Sequence, residues 1–358
     1  MAEPPNEKNF TSITNIPYSD LSPLNTLDLH FPTNPAPTTS QNPSIWLIYI
    51  HGGAFRDPLV TSASILPTLP HIFPPSSPNH IFPPSSPNHI FPPPTPSPRI
   101  HAIASLNYRL SPHPTHPTHP SHPDDPARNA TWPDHLHDVE AAIAWVLAHG
   151  DAHDPNPNPK SHESEGEGEG ESEGECLRRG YILAGHSVGG TMAMKIAQSA
   201  HPTSTSLPPP LAIVPLCGIY DFVRLRDAHP GNRELYEAFA TAAFGGEEGG
   251  GWEEGGRGWA AGDCTKGRIV EGVKVVVVGH GRGDGLVEWG QVEGMRGVLE
   301  GVNGDGGKDG EGEEGGKGGR KAVVVEVEGE HNECWEKGEG VARCVEVAVG
   351  MLGGLGYL

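Results

Sequence analysis

Apolar residues in this chain fall into short runs of two kinds, separated by long polar, glycine- and proline-rich stretches. Leu27, Leu29 and Phe31 alternate with polar neighbours, which predicts a half-exposed edge strand over Asn25–Phe31. Ser44–Ile50 is almost continuously apolar, the mark of a strand covered on both faces, as central strands of a parallel sheet are. After the loop that begins at His51 a short helix is expected, then a second buried strand over Ile100–Leu110. Asp134–His149 sets Leu136, Val139, Ile143, Val146 and Leu147 on one helical face, with Pro133 suited to its first turn and Gly150 to its end. Tyr181–Ala184 reads as a strand and Thr191–Ala200 as the helix after it. Strands at Leu211–Leu216, Val273–Val278 and Ala322–Val327 alternate with helical patterns at Asp221–Phe244, Gly290–Val302 and Trp335–Met351. Strands alternating with helices over the whole length predict an α/β fold: a doubly wound, mostly parallel sheet flanked by helices.

Composition changes this picture in one respect. Only 35% of the 358 residues are hydrophobic, while Gly (48) and Pro (38) are far above ordinary usage, so the packed core should be smaller than the length suggests. We expect one domain over residues 1–358, interrupted by a proline-rich insertion at 71–98, a His/Pro-rich loop at 111–126, an acidic Gly/Glu insertion at 151–176 and a Gly/acidic insertion at 303–320. The first contains an exact tandem repeat, His71–Asn79 being identical to His80–Asn88, too short and proline-rich to build a solenoid. The acidic tracts carry much of the net charge of -21, which argues against nucleic acid or an anionic membrane as partner. Neither a leader-like apolar segment at the start nor a run long enough to span a bilayer is apparent, and the five cysteines show no metal-ligand spacing. A soluble, cytoplasmic protein with reduced thiols is the expectation.

The chemistry gathers where strands end. Gly185-His186-Ser187-Val188-Gly189 lies between a strand and a helix and fits G-x-S-x-G, the sharp turn that exposes a nucleophilic serine. The Val188 N–H, at the helix start, can face a developing oxyanion. The strand Val273–Val278 leads to Asp284, and the last strand leads to His331. Serine, aspartate and histidine in that chain order are the triad order of α/β-hydrolases, in which His331 would take the Ser187 proton and Asp284 would orient the imidazole. His51-Gly52-Gly53-Ala54, after the strand Ser44–Ile50, is a glycine loop able to present the N–H groups of Gly52, Gly53 and Ala54 to the same oxyanion. His51 is expected to brace that loop.

The stretch His51-Gly52-Gly53-Ala54-Phe55-Arg56-Asp57-Pro58, together with the elbow around Ser187, resembles the fungal kynurenine formamidases, α/β-hydrolases of the tryptophan-to-kynurenine pathway. Asn107-Tyr108-Arg109, Gly218-Ile219-Tyr220-Asp221 and Asp284 with Leu286 extend the match over most of the chain outside the insertions. Phe55 stands where these proteins usually have Trp, and Gly190 where they usually have Ala. The resemblance implies the α/β-hydrolase fold and hydrolysis of N-formyl-L-kynurenine to L-kynurenine and formate through a formyl-enzyme intermediate. It also implies Ser187, Asp284 and His331 as the triad, with neither metal nor organic cofactor, and leaves a homodimer open. The competing readings are a broad carboxylesterase of the hormone-sensitive-lipase type and a non-catalytic ligand receptor. Arg109, Asn107 and Tyr220 are candidates to anchor the amino-acid tail of the substrate, and Phe55 to close around the formyl group.

Overall fold

A computed structural model describes residues 9–35, 44–74, 100–156, 180–198, 207–246, 259–305 and 319–358. The proline repeat and both acidic tracts therefore lie largely outside the described residues. Among those described, eight strands form one sheet in the order β1-β2-β4-β3-β5-β6-β7-β8. They are β1 (Phe10–Pro17), β2 (Thr26–Pro32), β3 (Ile45–Ile50), β4 (Ile100–Leu106), β5 (Tyr181–His186), β6 (Ala212–Leu216), β7 (Val275–His280) and β8 (Lys321–Glu326). From β4 onward in that order the pairing is parallel, and only β1 with β2 and β2 with β4 run antiparallel. The expected mostly parallel sheet is what the chain forms.

Period-two alternation explains how the sheet is covered. In β3, Trp46, Ile48 and Ile50 enter the core on one face, while Ile45, Leu47 and Tyr49 enter the core on the other. β7 divides in the same way, Val276 and Val278 against Val275 and Val277. The first face is covered by α2 (Asp134–His149) and α3 (Val188–Gln198), the second by α9 (Glu339–Gly354) and by a 3-10 segment, Ser62–Thr68, that continues into the single turn α1 (Leu69–Ile72). Between β6 and β7 come α4 (Phe222–Ala228) and α5 (Arg233–Phe244); between β7 and β8 come α6 (Gly290–Gly294) and α7 (Arg296–Asp305). The turn α8 (Glu333–Glu336) precedes α9.

Several local expectations are corrected. The alternating run at Leu27 is not the edge of the sheet: β1 pairs with it, and its polar members Asp28 and His30 are buried as well. The true edge, β1, is polar and largely exposed, so it carries no hydrophobic alternation to read. The strand expected over Ile100–Leu110 stops at Leu106, because Asn107 leaves the ladder to bridge the Thr26 hydroxyl and the Ser62 N–H. The strand expected at Val273–Val278 is displaced to Val275–His280. The helix expected at Trp335 is broken at Gly338, whose φ of 77° is left-handed. No helix among the described residues is long and apolar enough to cross a membrane.

Candidate active site

The parallel strands β3, β5 and β7 end on the same side of the sheet, and each delivers one part of the site. Strand β5 ends in the turn that carries Ser187, which holds a left-handed φ of 55°. A serine pays for that conformation in strain, and the strain persists only where the surroundings over-determine it. Here they do: the Ser187 N–H is held by the Leu216 carbonyl at 2.8 Å, and its own carbonyl accepts from Gly190 and Thr191 at the start of α3. The glycines of the motif permit the crossing, since a Cβ on Gly185 would strike the Gly189 carbonyl and one on Gly189 the Ile50 carbonyl.

Strand β3 ends in the glycine loop. Gly53 (φ 89°), Ala54 (φ 51°) and Phe55 (φ 60°) are three consecutive left-handed residues. The turn is closed by the N–H groups of Arg56 and Asp57, both donating to the Gly53 carbonyl. Tyr108 ties it down from behind, its hydroxyl donating to the carbonyls of His51 and Gly52, while the His51 ring stacks on the Tyr108 ring at 4.4 Å. Burial keeps His51 neutral, its pKa falling to about 4, in line with a bracing role. Among the described residues the N–H groups of Gly53 and Ala54 donate to no protein acceptor. Gly52 sits directly against the elbow: a Cβ there would lie 2.8 Å from His186 Nδ1 and 3.1 Å from Ser187 Cβ.

Strand β7 ends ahead of Asp284, and the chain after β8 brings His331 to it, with Nδ1 2.7 Å from Asp284 Oδ2. The other carboxylate oxygen accepts the N–H groups of Leu286 and Val287. Burial alone would raise the Asp284 pKa, but the hydrogen bond to His331, that ring's charge and the Val287 N–H outweigh it and hold the carboxyl below its ordinary value. Ser187 and His331 line one cavity of about 230 Å³ with Gly53, Ala54, Arg56 and Asp57. Ile219, Leu235, Tyr236, Phe239, Leu286, Val287 and Trp335 give it apolar walls.

Some expected roles do not survive the geometry. Arg109 is spent on a bidentate pair with Asp138, Asn107 on the bridge between β2 and the 3-10 segment, and Tyr220 is fully buried; none of them lines the cavity. Phe55 is also fully buried, packed among Trp132, Phe222 and Phe244, and does not line the cavity. Folding also assembles what spacing could not show: ligand-type atoms of His186, Cys217 and His331 lie within 4.8 Å of one another. His331 is already committed to Asp284 through Nδ1, and His186 Nε2 to the His331 carbonyl; both histidines line the cavity, and Cys217 does not. The walls from α5 were missed as well; Tyr236 and Phe239, one helical turn apart, were the available signal.

Comparison with known proteins supports a hydrolase. No family model matches the chain. A kynurenine formamidase-like hydrolase from Fusarium equiseti is 28% identical over 97% of this chain and 97% of its own length. A kynurenine formamidase from Aspergillus versicolor is 30% identical over 57% of this chain and 54% of its own. The chain is a hydrolase similar to the fungal kynurenine formamidases. Its fold neighbours are esterases of the α/β-hydrolase kind. An inhibited esterase B from Lactobacillus rhamnosis superposes with a TM-score of 0.57 at 14% identity, covering 98% of this chain and 87% of that one. A truncated carbohydrate esterase from gut microbiota superposes with a TM-score of 0.53 at 18% identity, covering 97% and 99%. At those identities the likeness concerns the fold alone.

Proposed function

We propose that this α/β-hydrolase is an arylformamidase that converts N-formyl-L-kynurenine and water to L-kynurenine and formate. The observation that carries the reading is the Asp284–His331 pair at 2.7 Å beside the cavity that His331 shares with Ser187 and the glycine loop. In this reading His331 accepts the Ser187 proton as the serine oxygen bonds to the formyl carbon. The oxyanion that forms meets the N–H groups of Gly53, Ala54 and Val188, with Gly52 keeping the loop pressed against the elbow. Collapse breaks the bond from carbon to nitrogen, and His331 returns its proton to the arylamine, which leaves as kynurenine. Water then adds to the formyl ester with His331 again as base, and formate departs as Ser187 is reprotonated.

The size and character of the cavity support a small aryl substrate. At about 230 Å³ it lies below the roughly 300–1,000 Å³ usual for drug-sized ligands, and its walls are apolar and aromatic around one polar end. A carboxylesterase reading draws on the esterase neighbours but leaves the charged end of the cavity without a use. The discriminating measurement is kcat/KM for formyl, acetyl and butyryl derivatives of one arylamine. Each added methylene should cost about 1–3 kcal/mol by overpacking, so the series should fall steeply. A flat or rising series would hand the site to the esterase reading.

A further inference from the structure

Arg56 opens on the cavity without an internal partner among the described residues. It lines the cavity of Ser187 and His331, yet only 9% of its surface is exposed, and desolvation acts on its guanidinium. Two other arginines have internal partners. Arg109 makes its bidentate pair with Asp138, and Arg320 donates to the carbonyls of Val273, Ile269 and Val270. The Arg56 side chain has no hydrogen bond and no carboxylate within ion-pair distance among the described residues. Its sequence neighbour Asp57 contributes a field, but that carboxylate already accepts the Leu59 N–H and faces His116 Nε2 at 3.6 Å. The other nearby ionisable group is His113, a second potential cation. A guanidinium keeps its charge, and one that opens on a cavity without an internal partner is free to pair with an anion that enters with a ligand.

We propose that Arg56 is the subsite for a substrate carboxylate, binding the end of the molecule remote from the bond that is cleaved. Its main chain belongs to the turn that presents Gly53 and Ala54, since the Arg56 N–H donates to the Gly53 carbonyl. The anchor and the N–H groups facing the reacting carbonyl are thus one rigid piece, so a captured carboxylate sets the position of the acyl carbon above Ser187. The planar guanidinium also matches a carboxylate in two-point geometry. The substrate class this selects is an arylformamide that bears a carboxylate. That the carboxylate is the α-carboxylate of formylkynurenine rests on the formamidase reading.

The test uses binding of the product, which requires no turnover. L-Kynurenine and kynurenamine, its analogue lacking the carboxylate, are titrated calorimetrically into the parent protein, Arg56→Met and Arg56→Lys. The parent should prefer L-kynurenine by roughly 10- to 100-fold, Arg56→Met should lose that preference while binding the amine as before, and Arg56→Lys should keep part of it. Equal affinities in the parent, or equal losses for both ligands in Arg56→Met, would overturn the assignment. If Arg56→Met does not fold, the comparison of the two ligands in the parent decides alone. Turnover of N-formyl-L-kynurenine is measured beside it, where Arg56→Met should act through a raised KM. A parent that discriminates the carboxylate but leaves the formamide intact sinks the formamidase reading and keeps Arg56; turnover without discrimination does the reverse.

Discussion

The His186 ring donates from Nε2 to the backbone carbonyl of His331 across 2.9 Å, so the residue before the elbow serine holds the main chain of the histidine that faces it. Because a carbonyl can only accept, the Nε2 of His186 carries hydrogen, and burial, with the neighbouring His331 charge, keeps the ring from gaining a second proton. His186→Phe should retain the ring's volume and lose the tether. We expect kcat to fall about tenfold with KM nearly unchanged, the cost of one buried hydrogen bond. His186→Gln, which can still donate, should recover part of the loss; an unchanged kcat in the Phe variant would show that the tether does not position His331.

Ser187→Ala, Asp284→Asn and His331→Ala should each lower kcat by about a thousandfold or more, and pairing them should cost little further, because in the proposed mechanism the three act as a unit. Asp284→Asn is the most telling of these. An asparagine can still accept the Leu286 and Val287 N–H groups, but it turns an NH2 toward His331 Nδ1 and imposes the wrong tautomer. Its melting temperature should therefore stay near that of the parent while its turnover collapses. A fully active Ser187→Ala would remove Ser187 from the mechanism.

Gly52→Ala tests how closely the loop is pressed to the elbow. The added methyl would stand 2.8 Å from His186 Nδ1 and 3.1 Å from Ser187 Cβ, so the loop or the His186 ring must shift, and the serine must give slightly. A misplacement of about 1 Å can cost a hundredfold in rate, so the smaller shift here should cost less than that. Kinetics on the folded variant should show the loss in kcat; parental kcat would mean the loop has room to withdraw.

Acid should unfold the protein earlier than its carboxylates alone would require. His30, His51 and His135 are buried, and burial lowers each from 6.5 to about 4. Above pH 6.5 these rings are neutral in both folded and unfolded chains and contribute nothing. Below it the unfolded chain takes up protons that the fold refuses, so stability falls by up to about 1.4 kcal/mol per pH unit for each histidine until the folded values are reached. The depressed Asp284 contributes above its unfolded value near 3.8 and loses that contribution progressively as pH falls from there through its folded value, beneath this window. Melting temperature should drop steadily between pH 6.5 and pH 4.5, and His135→Gln should flatten the slope. A pH-independent melting temperature over that range would contradict the burial of these rings.

What the sequence disclosed and what it hid follow from the range of the interactions involved. Strands β3, β5 and β7 are covered on both faces, so their apolar runs stand out, and the residues after them, His51, Ser187 and Asp284, could be placed at strand ends. The antiparallel edge could not be read, because β1 borrows its order from β2 and has a polar face of its own. The anchors were misjudged for a similar reason. Asn107, Arg109 and Tyr220 sit near strand ends as the rule demands, but their partners Ser62, Asp138 and Gln291 come from distant segments. Arg56 was visible within the motif, and only the fold shows it without an internal counter-ion.

Strand β8 is the last in the sheet and leaves Lys321, Val324 and Glu326 in solvent, yet the segment that positions His331 hangs from it. Marginal strands open by themselves at a free energy well below that of the whole domain. If β8 opens first, inactivation should follow how often this rim comes away and re-forms, a different quantity from the cooperative melt of the central strands. Ligands that bridge His331 to the glycine loop would slow that fraying from the inside, so the catalyst should last longest while it is occupied.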